Sequence, residues 1–369
     1  MPGANVDLIG RDGVRGEVAK RFVGNGALNY SKMRPYIKDN GKVYVNVYKG
    51  GPIGNKNSWV EREIQTNAGT LRRDEWKLLD EAIMEPGRYR LGGIDDLRSN
   101  GLTYTLGNAL GTMVLEWHDV GTALSAVMTM DGITRGNNDA VEFQTNYLPI
   151  PIIHVDYEIN TRELEASRSL GNPLDTTLAQ NAARAVNEKL ENLLFTDTSY
   201  AWGDKDDRNR NKIYSYLNFP DRNLVNISIP WDHSAITPAG ILQDVQDLKA
   251  AARAAYHYGP YMLYIPTAYE RVLENDYDVA GSSMLTIRER IMKLTGIKDI
   301  KVIDTLPTDN LLLVQMTPDT VRLVQGMGLQ NVQWGVEGDF LTKFKVMTIQ
   351  VPQIRSDQNG KCGIVHATT

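Results

Sequence analysis

At 369 residues the chain is longer than one ordinary domain, so two or three substructures sharing ample core material are expected. With 42% hydrophobic and 23% charged residues it reads as a globular protein, and no apolar run reaches the roughly eighteen residues that a bilayer span requires. Net charge is -5, and the single cysteine, Cys362, has no second thiol with which to form an internal disulfide or share a metal, as expected of a reducing, cytosolic compartment.

The opening "MPGANVDLIGRDG" lacks the basic-then-apolar order of a signal peptide. Up to Lys56 the cations are Arg11, Arg15, Lys20, Arg21, Lys32, Arg34, Lys38, Lys42, Lys49 and Lys56, against Asp7, Asp12, Glu17 and Asp39. The remainder of the chain is acidic. Residues 1–70 therefore form a basic N-terminal arm, rich in glycine and asparagine, with one alternating patch, "KVYVNVYKG", that suits a strand. Such an arm cannot bury enough apolar surface alone, and is expected to lie on neighbouring subunits or to meet an anionic surface.

In 71–107, Trp76, Leu79, Ala82 and Ile83 share one face of a helix that Thr70 can cap and Pro86-Gly87 stops. Residues 108–150 change character. "TMVLEWHDV" and "AVEFQTNYLPIPIIHVDYEI" are rich in valine, isoleucine and tyrosine and flank the polar "DGITRGNNDA", which predicts a long hairpin with a turn-rich tip. Next, 175–197 reads as one long helix. Leu178, Ala182, Ala185, Val186, Leu190, Leu193 and Leu194 recur at three- and four-residue intervals, while Glu188, Lys189 and Glu191 lie off the stripe. Thr177 with Gln180 fits a capping box, and Asp175 brings negative charge to the positive end of the helix dipole.

Residues 198–235, polar and punctuated, are expected to be a surface excursion. From 236 to 335 helices and strands alternate. Thr237-Pro238 opens a helix bearing Ile241, Leu242, Val245 and Leu248; "YMLYIP" is a short buried strand; Thr286 with Glu289 is a second capping box; and "IKVIDTL" and "NLLLVQM" follow as strands. The segment 336–369 carries a long strand, "FLTKFKVMTIQVPQIRS", expected to return to the sheet of the middle of the chain.

No catalytic, cofactor-binding or metal-binding residue is assigned. His118, His154, His233, His257 and His366 include no i, i+4 pair, "HVD" and "WDH" place residues two apart without further chemistry, and the glycine clusters lack the lysine-serine/threonine of a phosphate loop. Cys362 with His366 in "GKCGIVHATT" is read as a tail rather than a nucleophile site.

The order of parts resembles the Hong Kong 97-type fold of tailed-bacteriophage major capsid proteins, which encapsulin shells share. "LRRDEWKLLDEAI", "LPIPIIHVDYEINTRELE", "EKLENLLFTD" and "GPYMLYIPTAYERVL" are similar to segments of encapsulins, and the likeness runs over about 70–369. It implies an α+β capsid fold. In it, 71–107 starts a peripheral domain, 108–150 is an extended loop, 151–235 is the peripheral domain with its spine helix, 236–335 is an axial domain, and 336–369 returns to the peripheral domain. It further implies a structural subunit of a phage head, forming hexamers and pentamers around double-stranded DNA that it does not read by sequence. Portal, scaffold and decoration proteins are the implied partners, the virion the implied location, the host cytoplasm the place of synthesis, and an encapsulin-type compartment the alternative. Some relatives of this kind weld a loop lysine to a neighbour's asparagine. Here no lysine stands between Lys77 and Lys189; Asn137, Asn138 and Glu142 are present, but Arg135 stays protonated and cannot attack. Locking without covalent bonds is expected.

Overall fold

The computed structural model describes residues 35–38, 42–48, 59–64, 71–83, 91–120, 130, 143–170, 176–204, 206–277, 285–337, 341–357 and 359–368. The first 34 residues of the arm, all but one residue of the hairpin tip, Thr70, Pro86-Gly87 and Asp175 lie outside them.

Three short strands, β1 (Tyr36–Ile37), β2 (Val43–Tyr48) and β3 (Trp59–Ile64), form a small sheet of their own. Helices α1 (Arg73–Ile83) and α2 (Gly93–Ser99) lead to β4 (Thr103–Thr105). A hairpin of β5 (Val114–Val120) and β6 (Phe143–Pro149) follows, and β7 (Ile153–Asn160) runs from it into α3 (Thr161–Leu170) and α4 (Thr177–Phe195). Next come β8 (Tyr200–Ala201), α5 (Asp207–Arg210), β9 (Lys212–Ile213) and β10 (Asn223–Asn226). The alternating region holds α6 (Pro238–Ala254), β11 (Tyr261–Pro266), α7 (Glu270–Leu273), α8 (Ile287–Met292), β12 (Ile297–Ile303) and β13 (Asn310–Gln315). Three strands complete the series: β14 (Val321–Glu337), β15 (Leu341–Ile354) and β16 (Ile364–Thr368).

Two sheets organise the body. One has the order β4-β14-β15-β7, with β15 antiparallel to both neighbours. Alternation sorts its side chains: Phe344 and Val346 turn to one face, Met347, Ile349 and Val351 to the other. The other sheet has the order β10-β16-β13-β11-β12, and both of its faces are covered. On one side Met262, Tyr264, Leu312, Val314 and Ile364 share a core with Leu190, Leu194 and Phe195 of α4. On the opposite side Leu263, Leu311, Leu313 and Val365 meet Val245 and Leu248 of α6 and Ile291 of α8. Local signals start these helices as the sequence predicts. Thr237 Oγ1 accepts from the Gly240 N–H at 3.1 Å with proline behind it, and Thr286 and Glu289 form a reciprocal capping box.

Helix α4 joins the two cores. Its first half, with Ala179, Ala182, Ala183 and Val186, lies on the four-stranded sheet beside Trp76 and Leu79 of α1. Its second half enters the core of the five-stranded sheet. Nineteen residues at 1.5 Å each make it a rod of about 28 Å, long enough to span both. The stripe is not quite the predicted one. Leu178 is 51% exposed and Ala185 faces out, while Glu191 is buried. The second half is surrounded on more than one side, by α2 as well as by the sheet, which widens the buried arc. The N-cap is also one residue earlier than the predicted Thr177: the helix starts at Thr177, and Thr176 caps it without a side-chain capping bond.

The boundaries expected from the sequence do not follow the sheets. Val321–Glu337, placed within 236–335, pairs with β15 and β4 in the four-stranded sheet. Ile364–Thr368, expected to return there, lies between β10 and β13 in the five-stranded one. The chain therefore crosses from one sheet to the other three times, after β7, β13 and β15, and local apolar pattern does not encode which strand is the partner.

Candidate assembly surface

The hairpin departs from the body as a two-stranded sheet. β5 and β6 pair antiparallel from Val114↔Pro149 to Val120↔Phe143, and neither pairs with a third strand among the described residues. Among the described residues it is rooted at its base, with Leu115 and Trp117 packed on the body beside it. Leu148 and Ile150 are buried against Ile213, Met347 and Ile349, and the Ile150 N–H donates to the Met113 carbonyl at 2.8 Å. The run that reads as one long strand in the sequence breaks at Pro149-Ile150-Pro151, so its first half belongs to the hairpin and its second half, β7, to the body.

Around the base lies an apolar groove of about 160 Å³, lined by Leu110, Met113, Pro149, Ile152, Tyr200 and Trp202 among others. Met113 is 64% exposed, Ile152 45%, Trp202 43% and Tyr200 40%. Single exposed apolar side chains are ordinary, but several converging on one groove mark an interaction surface.

Segment 198–235, expected to be a polar excursion, is a bracket under the hairpin. Tyr216 and Trp231 are fully buried, Ile213 sits in the core beneath Leu148, and β10 joins the five-stranded sheet. The Trp231 indole donates to Asp244 Oδ2 at 2.9 Å, and the Arg210 guanidinium lies over the Tyr147 ring at 5.7 Å. The signal that could have revealed it was the run "YSYLNF" with "NLVNISI", apolar positions scattered among charges.

On the other face of the four-stranded sheet from the hairpin base, the small β1-β2-β3 sheet is fastened by the α1 tryptophan. The Trp76 indole donates to the Pro35 carbonyl at 3.0 Å, and the Tyr36 hydroxyl donates to Glu61 at 2.5 Å. Deeper in, two carboxylates hold α2 between α4 and the five-stranded sheet. Glu191 accepts from the Gly93 and Ile94 N–H groups at 2.7 and 3.2 Å, and burial pushes its carboxyl up to about 7. Asp96 accepts from the Tyr264 hydroxyl at 3.2 Å and faces Lys301 at 3.7 Å; burial raises its pKa, against the lowering effect of that lysine.

Most of the residues weighed for chemistry have structural partners. His154 and Asp156 are 3.5 Å apart on an exposed strand, and Asp156 also pairs with Lys345 at 3.3 Å. His233 accepts from the Ala235 N–H in a turn. Cys362 and His366 are buried rather than in a loose tail. Burial pushes the Cys362 thiol up to about 12, so it is no nucleophile, and burial with the Arg222 charge pushes His366 down to about 4. Their partners differ: Cys362 Sγ donates to the Arg355 carbonyl, and His366 lies between Arg222 Nε at 3.2 Å and Asn310 Oδ1 at 2.7 Å. Among the described residues no group of three or more His, Cys, Asp or Glu side chains is gathered as for a metal, and no helix is long and apolar enough to cross a membrane.

A helix bridging two sheets, with a ribbon standing off one of them, defines the class: this is the Hong Kong 97-type capsid fold. The virus-like particle protein from Pyrococcus furiosus shares it at a TM-score of 0.53 and 17% identity, over 79% of this chain and 97% of that one. The capsid of Myoviridae phage XM1 does so at a TM-score of 0.58 and 10% identity, over 77% and 94%. In sequence, the type 1 encapsulin shell protein EncA of Myxococcus xanthus (strain DK1622) is 23% identical over 278 residues, covering 74% of this chain and 83% of EncA. The chain itself belongs to a family of unknown function (DUF6260), matched over residues 67–367.

Proposed function

We propose that this chain is the structural subunit of a closed icosahedral shell, the head of a tailed bacteriophage enclosing double-stranded DNA. The observation that carries the reading is the hairpin: a two-stranded ribbon that pairs with no third strand among the described residues and is flanked by an exposed apolar groove, on a capsid-type body. A ribbon of this kind is marginal alone and gains stability by lying on a neighbour. In this reading 108–150 is the extended loop, the four-stranded sheet with α1 and α4 is the peripheral domain, and the five-stranded sheet with α6 and α8 is the axial domain. The subunits form hexamers and pentamers, with portal, scaffold and decoration proteins as further partners. The shell is made in the host cytoplasm and holds DNA without reading its sequence. It has no catalytic role.

A second reading, an encapsulin-type compartment, is favoured by the likeness to EncA. Negative-stain microscopy of the purified full-length protein tests both, with closed shells as the expected result. A folded protein that stays monomeric by light scattering across salt and concentration sinks both readings. Nuclease-protected DNA within shells isolated from their source supports the phage head, and an enclosed protein cargo supports the compartment. Deleting residues 1–60 is expected to leave a folded subunit but weaken assembly; particles of unchanged thermal stability would count against a role for the arm.

A further inference from the structure

Between the hairpin and its bracket lies a cleft of about 480 Å³. Its walls come from different parts of the chain. Trp117, Thr145, Asn146 and Tyr147 face it from β5 and β6, while Lys212, Tyr214, Phe219, Asp221, Arg355 and Ser356 face it from the body, with Arg210 alongside.

The charges are one-sided. Arg210, Lys212 and Arg355 line the cleft, and among the described residues the hairpin wall brings no charged residue into it, Glu116 of β5 lining the adjoining hollow with Asp207 and Arg210. Among the described residues Asp221 is the one carboxylate of the lining, and it already accepts from Ser356 Oγ at 2.6 Å. Arg210 is 3.1 Å from Asp207 through a side chain that is 60% exposed, a pair too solvated to cancel its field. Next door, the pKa of Arg322 is lowered, by burial first and then by the charge of Arg355. Positive charge is thus concentrated in a chain whose net charge is -5. A concave wall of low polarizability focuses such a field toward an anion.

The same cleft is lined by rings. Trp117, Tyr147, Tyr214 and Phe219 contribute to it, and Tyr214 and Phe219 meet edge to face at 5.8 Å. Cations alone would suit any anion. Cations with flat aromatic surfaces, in a concavity the size of a small-molecule site, suit a phosphate ester joined to a planar base.

We infer that this cleft binds a nucleotide-class anion, its phosphate on Arg210, Lys212 and Arg355 and its base against the aromatic lining. The nucleotide can be free or part of a single-stranded nucleic acid, and the inference does not depend on the shell reading. The test is equilibrium dialysis of the full-length protein at low salt against AMP, inorganic phosphate, oligo-dT and hexaglutamate. Expected is saturable AMP binding, at least about tenfold tighter than inorganic phosphate and about tenfold weaker in Arg210→Glu and in Lys212→Glu. Circular dichroism checks both variants, so that if one misfolds the other still decides. Oligo-dT binding tighter than AMP identifies nucleic acid as the source, and AMP binding with oligo-dT excluded identifies free nucleotide. No saturable AMP binding at millimolar concentration, phosphate or hexaglutamate binding as tightly as AMP, or unchanged affinity in the folded variants would each overturn the inference.

Discussion

Strands β11 and β6, "YMLYIP" and "FQTNYLP", both end on proline, yet they live differently, and β6 carries Gln144, Thr145 and Asn146 where β11 has no such polar run. All six side chains of β11 are buried, because its sheet is covered by α4 on one face and by α6 and α8 on the other. In β6 full burial is confined to the base, from Leu148 onward, and its described side chains nearer the tip are partly open. Composition goes with cover: the strand that the chain covers itself is apolar, and the one with polar positions stands in the ribbon that an assembly has to complete.

That contrast can be broken in graded steps. The largest effect is expected from Met113→Ser, Ile152→Ser and Trp202→Ser combined. Shells seen by microscopy should be lost while the urea midpoint moves by an amount worth less than about 1 kcal/mol, since these side chains are exposed in the subunit. Shells of normal yield would mean that the groove is no interface. In the body, Phe195→Ala should cost about 3–5 kcal/mol by chemical denaturation, because Phe195 is fully buried between the Tyr216 and Tyr264 rings at 5.5 and 4.9 Å. A loss below about 1 kcal/mol would show that this core tolerates a cavity it should not.

Protonation gives a sharper probe of the same core. Glu191 keeps its proton in the folded chain up to about pH 7, whereas its ordinary value is 4.5. The folded state therefore holds the extra proton between those values. This contribution is full below the ordinary value, falls as pH rises, and is gone above about 7, at most about 3 kcal/mol in all. Stability measured against pH should show that decline in the wild type relative to Glu191→Gln; parallel curves would contradict it. Gly93→Ala should cost about 1–3 kcal/mol, because a Cβ there would stand 2.3 Å from Phe195 Cε2 and 3.1 Å from Glu191 Oε1. An unchanged midpoint would mean that α2 shifts freely. The smallest expected effect is none: shells boiled in detergent and reductant should run as one band near 41.2 kDa, and a ladder would reveal covalent bonds between subunits.

Where structure is set by neighbours in sequence, it was legible. Thr237-Pro238 and Thr286/Glu289 announce their helices because a cap involves residues three apart. Tertiary surroundings decided the rest. Glu191 looks like a solvent residue until α2 covers it, and nothing local says that it will. Strand β14 escaped notice because its pairing shifts register between Gln325 and Met327, Met327 and Gln330, and Gln333 and Gly335, which scrambles the alternation. Gly326 marks one such place, where a Cβ would lie 2.7 Å from Ala109 Cβ. Of the candidate surface, the hairpin strands were readable but the groove was not, since Met113, Ile152 and Trp202 come from three separate segments.

The position of β16 sets a clock on the birth of the subunit. Val225 pairs with Ala367 and Leu312 with His366, so β10, made much earlier, and β13, made shortly before, both wait for the one strand that fits between them. A nascent chain cut between Gln315 and Ile364 has β10 and β13 but not the strand that links them, and its five-stranded sheet cannot close. Such a chain lacks Ile364 from the core into which α4 inserts and leaves the facing edges of β10 and β13 open to pairing with other chains.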